Sequence, residues 1–416
     1  MSGATLSPLA RRIAAEHAAD VTADRRPVLE RFLAQGLPAA RDENWRYANL
    51  KPLDKAVFTP AAAAADLDAA LLPEALEDHV RYVFIDGRFF AAGSATGAQS
   101  GVTVTTGRAP AAGPRGDDAG FALLNDAFAT DGADITLADD ATAGIEVIFL
   151  GSGTGAAYPR LSVRLGKHAR LSLIERHLAP AGSAGFTGTA VAVSVGDGAT
   201  LDHYRLQQAG DGATWIDTIS VTVGRAATCN THLLMLGALS ARSTAHVQLA
   251  QPEAALTFNA VAVADGRQVQ DAMVVVDHQA PHTRTQENFR GIAGGRARLG
   301  FNGKIVVRET ALKADSAQSL RGLIAGPEAE IDVRPQLEIY TDDVRCSHGA
   351  TTGKLDENML FYLLSRGLAP EVAQRLLKWA FITDIVSTIA PARLRQQARQ
   401  ALVGHMQDAD ALKELL

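Results

Sequence analysis

Cysteine, basic excess and long apolar runs are all in short supply in this chain of 416 residues, and each shortage narrows what it does. Its two cysteines, Cys229 and Cys346, are too few for a disulfide framework, and no bridge between them is expected. Such usage fits a reducing cytoplasm. The longest apolar runs, such as LLMLGAL at 233–239, stop far short of the ~20 residues of a membrane helix. The opening MSGATLSPLARRIAAEH lacks the apolar stretch of a secretory signal. Lys and Arg number 40 against 46 Asp and Glu, so no nucleic-acid surface is expected. The Gly-rich GIAGGRARLG lacks the lysine and hydroxyl of a phosphate-binding GxxxxGKS/T loop, which assigns any nucleotide chemistry to a partner.

Apolar residues make up 47% and charged residues 21%, which is the balance of a globular chain with a sizeable core. Residues 1–60 read as helical: Leu29, Phe32 and Leu33 recur at helical spacing, Pro27 suits a helix start, and Gly36 and Pro38 suit its end. RYVFIDGRFF (81–90) reads as a hairpin around Asp86-Gly87. RAPAAGPRGDDAG (108–120) reads as a linker.

From about 135 the runs become short, β-branched and alternating. VRLGKHARLSLIER (163–176), VSVGDGATLDHYRL (193–206) and VTVGRAATCNTHLL (221–234) align without gaps. Gly166, Gly196 and Gly224 share one slot, and Leu171, Leu201 and Cys229 another, with polar positions between. A unit of this size buries its apolar face only by stacking on copies of itself. The expected fold is therefore mainly β, a right-handed parallel β-helix over 135–350, with a β-sandwich as the alternative. An N-terminal helical region (1–134) and a C-terminal one (351–416) flank it. In the latter, Asp356 suits an N-cap and Gly367 a stop. Pro370 opens a helix striped by Val372, Leu376, Leu377, Ala380, Phe381 and Ile385, Pro391 ends it, and a charged amphipathic helix comes last.

Few residues suggest chemistry. Cys229 fills a slot that leucine fills in the sister repeats and is expected in the core. His278 and His282 stand in DHQAPH, where Pro281 argues for a loop, so a metal site with Asp277 is a minor reading. Cys346 and His348 stand in DDVRCSHGA. Two residues apart on a strand, they present sulfur and nitrogen on one side. Both are ligand types for zinc, copper or iron–sulfur centres, and a second chain would have to complete such a site. A Cys–His nucleophile pair is the thiol-enzyme alternative, with no orienting third residue in view.

The run PQLEIYTDDVRCSHGATTGKLDENMLFYLLSRGL (335–368) resembles the signature of the SufB/SufD family, and of its SufD branch in particular. These are subunits of the SUF iron–sulfur cluster assembly complex. NWRYANLKPL (44–53), YVFIDGRFF, LLNDAFATDGADI (123–135) and GFNGKIVVRETALKADSAQSLRGLI (300–324) are similar to it as well. ALKADSAQ (311–318) stands where the family often has AQKTDAxQ, a departure conservative in size.

The resemblance implies a non-catalytic, cytoplasmic scaffold without nucleic-acid or membrane contacts. It implies pairing with SufB through the β-helices and docking of the SufC ATPase on the C-terminal helices, where Leu360, Phe361, Leu364, Leu376, Leu377 and Phe381 match the docking region. Cys346 and His348 match the CSHG motif at the SufB interface, as candidate ligands of a transient iron–sulfur cluster shared with that partner. A reduced flavin is implied for the complex, no cofactor for the isolated chain, and a homodimer is possible when it stands alone. The competing readings are the paralogous SufB, disfavoured by CSHG and by length, and a polysaccharide-lyase-like β-helix enzyme, disfavoured by the helical C-terminal end.

Overall fold

Stacked repeats predict a rod, and the computed structural model is one. It describes residues 8–17, 21–38, 42–56, 58, 61, 71–107, 119–153 and 155–405. Most of the expected linker (108–118) and the end of the last expected helix (406–416) lie outside the described residues.

The strands, numbered in chain order, form two ten-membered sheets. The first sheet runs β2 (Arg88–Phe89), β1 (Val80–Ile85), β5 (Thr142–Leu150), β8 (Arg170–Leu178), β10 (Thr200–Gln208), β12 (Thr228–Met235), β14 (Ala255–Ala264), β16 (Arg284–Ala293), β18 (Asp315–Ile324) and β20 (Arg345–Gly353). The second runs β19 (Glu330–Ile339), β17 (Arg298–Val307), β15 (Val269–His278), β13 (Ser240–Leu249), β11 (Thr214–Val223), β9 (Phe186–Val195), β7 (Arg160–Leu165), β4 (Gly132–Leu137) and β3 (Val102–Gly107). The short β6 (Ala156–Ala157) pairs with β9. From β7 onward successive strands alternate between the sheets, and every ladder among them is parallel. The architecture is thus a parallel β-solenoid with helices at both ends of the chain. A sandwich is ruled out, because consecutive strands cross between sheets instead of pairing with each other.

Register explains why the repeats align. Leu171, Leu201 and Cys229 stack directly on one another, and the column continues through Leu256, Thr285, Ser316 and Cys346. Rungs lie about 4.8 Å apart, so like side chains meet and exclude water along the axis. The glycine slot has a different cause. The amides of Gly166, Gly196 and Gly224 donate to the carbonyls of Leu137, Leu165 and Val195 in the coil before. A Cβ on Gly196 would stand 2.6 Å from the Leu165 oxygen, so the turn can close only without one.

The sheets take in β1–β3, which lie N-terminal to the patterned repeats. Asp86 (φ 49°) and Gly87 (φ 77°) make the expected hairpin turn, but β1 also pairs in parallel with β5. Helices α1 (Pro8–His17), α2 (Arg26–Gln35) and α3 (Ala119–Phe128) cover the second sheet. There Phe32, Trp45, Phe121 and Phe128 bury themselves against the outward-facing Tyr158, Phe186 and Ile216.

The C-terminal helices cover the first sheet. Asp356 caps α4 (Glu357–Ser365) by accepting from the Asn358 and Met359 amides, and Gly367 (φ 87°) lies just past its end. Helix α5 (Pro370–Val386) begins at its proline, and α6 (Ala392–His405) begins after Pro391. The buried face of α5 differs from the expected stripe. Ile382, Ile385 and Val386 pack on the outward-facing Tyr204, Leu234, Val261 and Ile292, whereas Leu376, Leu377 and Phe381 are half-buried and Ala380 is exposed. Several apolar faces were available on this helix, and the sheet it lies on selects among them.

Candidate functional site

The rod ends on its last coil, β19 and β20, and each strand has a neighbour on one side only. In the coils beneath, the inward side chains are covered above and below. Here Ile331, Val333, Leu337 and Cys346 lie against the core but have no coil above them. Every β20 side chain is exposed except Cys346, which is half-buried. Ile339 (41% exposed) and Tyr340 (55%) add apolar surface beside this end.

Cys346 stands over Ser316 and His348 over Gln318, so both ligand candidates project on the inward side of the open coil. Burial, with Asp315 adding to it, pushes the Cys346 thiol up. That is the opposite of what an activated nucleophile needs, and it speaks against a thiol enzyme. For a metal it means that binding must release the thiol proton.

The interior below is polar. Thr285 and Ser316 continue the Cys346 column, and Glu287 and Gln318 continue the His348 column. Gln318 Nε2 donates to Glu287 Oε2 and, at 2.9 Å, to the Gly303 carbonyl. Glu287 Oε1, Gln318 Oε1 and Ser316 Oγ are buried without a partner. Burial pushes the Glu287 carboxyl up to about 7, against the weaker opposing effect of the Gln318 donation. Among the described residues, no three His, Cys, Asp or Glu side chains converge as a metal site. Among the described residues Cys346 and His348 thus stand as two candidate donors on one side, whereas a closed tetrahedral site takes four.

The other candidates fall elsewhere. Cys229 is buried in the core, where desolvation pushes its thiol up to about 12. His278 ends β15, points inward and meets the hydroxyls of Thr283 (2.8 Å) and Thr285 (2.9 Å); desolvation lowers it to about 4. It is a strand residue, not the loop residue expected. His282 sits on the outer turn (φ 60°), exposed, while Asp277 pairs with Arg308, so the three do not converge. Of the helical candidates, Phe361 (72% exposed) points outward, as do Met359 (59%) and Tyr362 (56%). Leu360 and Leu364 are half-buried, and no residue of α4 is fully covered.

One buried constellation escaped sequence reasoning. Glu175 accepts from His177, His203 and Arg205 inside the rod, and Arg205 also grips Asp217, at 2.7 and 3.0 Å. The signal was available. Stepping by two from Leu171 and Leu201 lands on Glu175 and Arg205, so the period that fills the core with leucine also puts these charges in it.

Comparison with known proteins points to one family. The family model described as "SUF system FeS cluster assembly, SufBD core domain" matches residues 148–381. The iron–sulfur cluster assembly protein SufD of Escherichia coli is 28% identical over 377 residues, covering 89% of each chain. A SufBD family iron–sulfur cluster assembly protein of Synechocystis is 30% identical over 398 residues, covering 88% of this chain and 87% of its own. One from Mycobacterium tuberculosis is 26% identical over 267 residues, covering 62% and 66%. With more than half of its length matched by the core domain and most of it aligned with SufD, this chain belongs to the SufBD family of SUF iron–sulfur cluster assembly proteins.

Proposed function

We propose that this chain serves SUF iron–sulfur cluster assembly as a non-catalytic scaffold in the cytoplasm, with a SufB-like solenoid seated on its open end and a SufC-like ATPase on its C-terminal helices. The observation that carries this reading is the bare last coil. Two unpaired edges and a half-covered core are an interaction surface, since exposed edges of this kind otherwise invite aggregation. A homologous coil placed there would cover Ile331, Val333 and Leu337 and would bring its own ligands to Cys346 and His348. The cluster, or the iron that builds it, is then cargo held at a seam between two chains. Without SufB, two copies of this chain could pair through the same end.

The outward side chains of α4 support the second contact. Met359, Phe361 and Tyr362 sit on a helix whose base, α5, is fastened to the rod by the Arg290–Asp384 ion pair (2.8 Å). Leu360, Leu364, Leu376, Leu377 and Phe381 would complete that surface. A cycling ATPase gripping it could move the helices against the seam. A reduced flavin in the complex also belongs to this reading.

The test is the complex isolated without oxygen from cells carrying His348→Ala. The expected result is an intact complex, with SufB and SufC partners identified by mass spectrometry, and less than half the iron and sulfide per complex. Unchanged iron and sulfide would overturn the ligand role, and absence of both partners from the wild-type isolate would overturn the scaffold.

A further inference from the structure

Asp86 does more than turn the β1–β2 hairpin. Its amide donates to the Leu150 carbonyl (2.9 Å), and its Oδ1 accepts from the Ser152 amide (2.8 Å). Its Oδ2 is buried without a hydrogen-bond partner, and the residue is 5% exposed. Ser183, in the turn between β8 and β9, is 7% exposed and has a buried Oγ in the same condition. Both residues line one cavity of about 20 Å³, together with Gly151, Gly153, Gly155 and Gly185. Three segments of chain meet there: the hairpin, the stretch after β5 and the turn after β8.

Oxygen atoms and bare backbone dominate the polar part of this lining. The Gly153, Gly155 and Gly185 carbonyls accept from the amides of Ala184 (3.1 Å), Phe186 (2.9 Å) and Thr214 (3.0 Å). A carbonyl oxygen has two lone pairs, so each keeps one. The glycines keep the space open: a Cβ on Gly185 would stand 3.1 Å from the Gly155 oxygen, and one on Gly153 would stand 3.4 Å from the Ser183 Cβ. No cation balances the carboxylate. Arg88, on the same hairpin, donates to the Ala61 carbonyl (2.8 Å), and among the described residues no Lys, Arg or His forms an ion pair with Asp86. Buried charges are paired or coordinate a metal. A water would satisfy hydrogen bonds here and leave the charge standing. The volume admits one water-sized particle, so an ion must shed its hydration shell to enter, which magnesium does reluctantly. Oxygen donors select hard cations, and one carboxylate balances one positive charge.

We propose that this cavity binds a single dehydrated alkali cation, sodium or potassium, held by Asp86 Oδ2, Ser183 Oγ and the glycine carbonyls. The ion ties the β1–β2 hairpin to the turns of the first coils, at the end of the rod away from β20. None of these residues belongs to the open end or to α4, so the inference depends neither on the cluster nor on either partner.

The test is thermal unfolding of the full chain in sodium, potassium and choline chloride at equal ionic strength, with hydrogen exchange of β1 and β9 as the local readout. Sodium or potassium is expected to raise the midpoint above that in choline by about 2 °C or more, and to slow exchange in both strands. Asp86→Asn keeps the acceptor for the Ser152 amide and removes the charge, so its midpoint should be the same in all three salts. Ser183→Ala keeps the carboxylate and should need about threefold more salt to reach half of the shift. A midpoint indifferent to the cation, a salt response that survives Asp86→Asn, or a response to calcium or magnesium without one to sodium or potassium would each overturn the proposal. Should Asp86→Asn fail to fold, an unchanged salt requirement in Ser183→Ala overturns it alone.

Discussion

Glu287→Gln makes the interior of the last coils measurable. Phe258 lies under Glu287 in its column and Gln318 over it. Phe289 stands two residues on, stacked on Phe301 at 4.5 Å. In these surroundings the carboxyl holds its proton up to a pH of about 7, against an ordinary value of 4.5. Below 4.5 the acid is neutral in both states and the burial costs nothing extra. Between 4.5 and about 7 the unfolded chain loses the proton while the folded chain keeps it. Stability must therefore fall as pH rises through this window, reaching a plateau above it. At about 1.4 kcal/mol per tenfold in proton affinity, the loss from pH 5 to pH 8 is about 2–3 kcal/mol.

Glutamine has nearly the same shape and no proton to lose. Its packing cost is the same at both pH values and cancels in the difference. Urea midpoints read by tryptophan fluorescence, with hydrogen exchange of β16 and β18 as the local readout, should show the variant gaining about 2–3 kcal/mol on wild type between pH 5 and pH 8. Parallel pH profiles, or a wild type that grows more stable with pH in this range, would refute the reasoning.

Two further outcomes are expected. In the free chain at pH 8, an alkylating reagent should label Cys346 slowly and leave Cys229 untouched until the rod unfolds, because burial holds the Cys229 thiol at about 12; peptide mass spectrometry distinguishes the two, and early labelling of Cys229 would contradict its place in the core. Arg205→Ala should lower stability by about 3–5 kcal/mol in denaturant titrations, because it strands Glu175 and Asp217 as buried carboxylates without their cation, and a loss under 1 kcal/mol, in the range of an exposed pair, would contradict that burial.

The fold was legible because a solenoid repeats its instructions. Leu171, Leu201 and Cys229 occupy one slot in the sequence and one column in the structure, so a period found once predicts every coil. The helix limits at Asp356, Gly367 and Pro370 were legible for local reasons, since a cap, a left-handed stop and a fixed φ act over a few residues. The docked face of α5 was not, because Leu376 and Ile382 look alike until the sheet beneath chooses between them. The place of NWRYANLKPL was hidden in the same way: Arg46 and Lys51 come to line one cleft with Arg267 and Arg298 only after more than two hundred intervening residues have coiled. At the site itself, sequence alone could propose that Cys346 and His348 share a side. That this side belongs to a terminal, uncovered coil depends on where the repeats stop and on the path the chain takes into α4, away from the open edges.

The two ends of the rod are unlike. At the far end the first sheet closes on the two-residue β2, and the second on β3, which runs antiparallel to its neighbour β4. Among the described residues, a parallel coil arriving there would meet a two-residue strand and an antiparallel pair in place of a matching coil. Under the pairing proposed above, a coil-to-coil contact would find its match at one end only, and assembly through it would be self-limiting: a pair of rods, with no second foothold of the same kind for a filament.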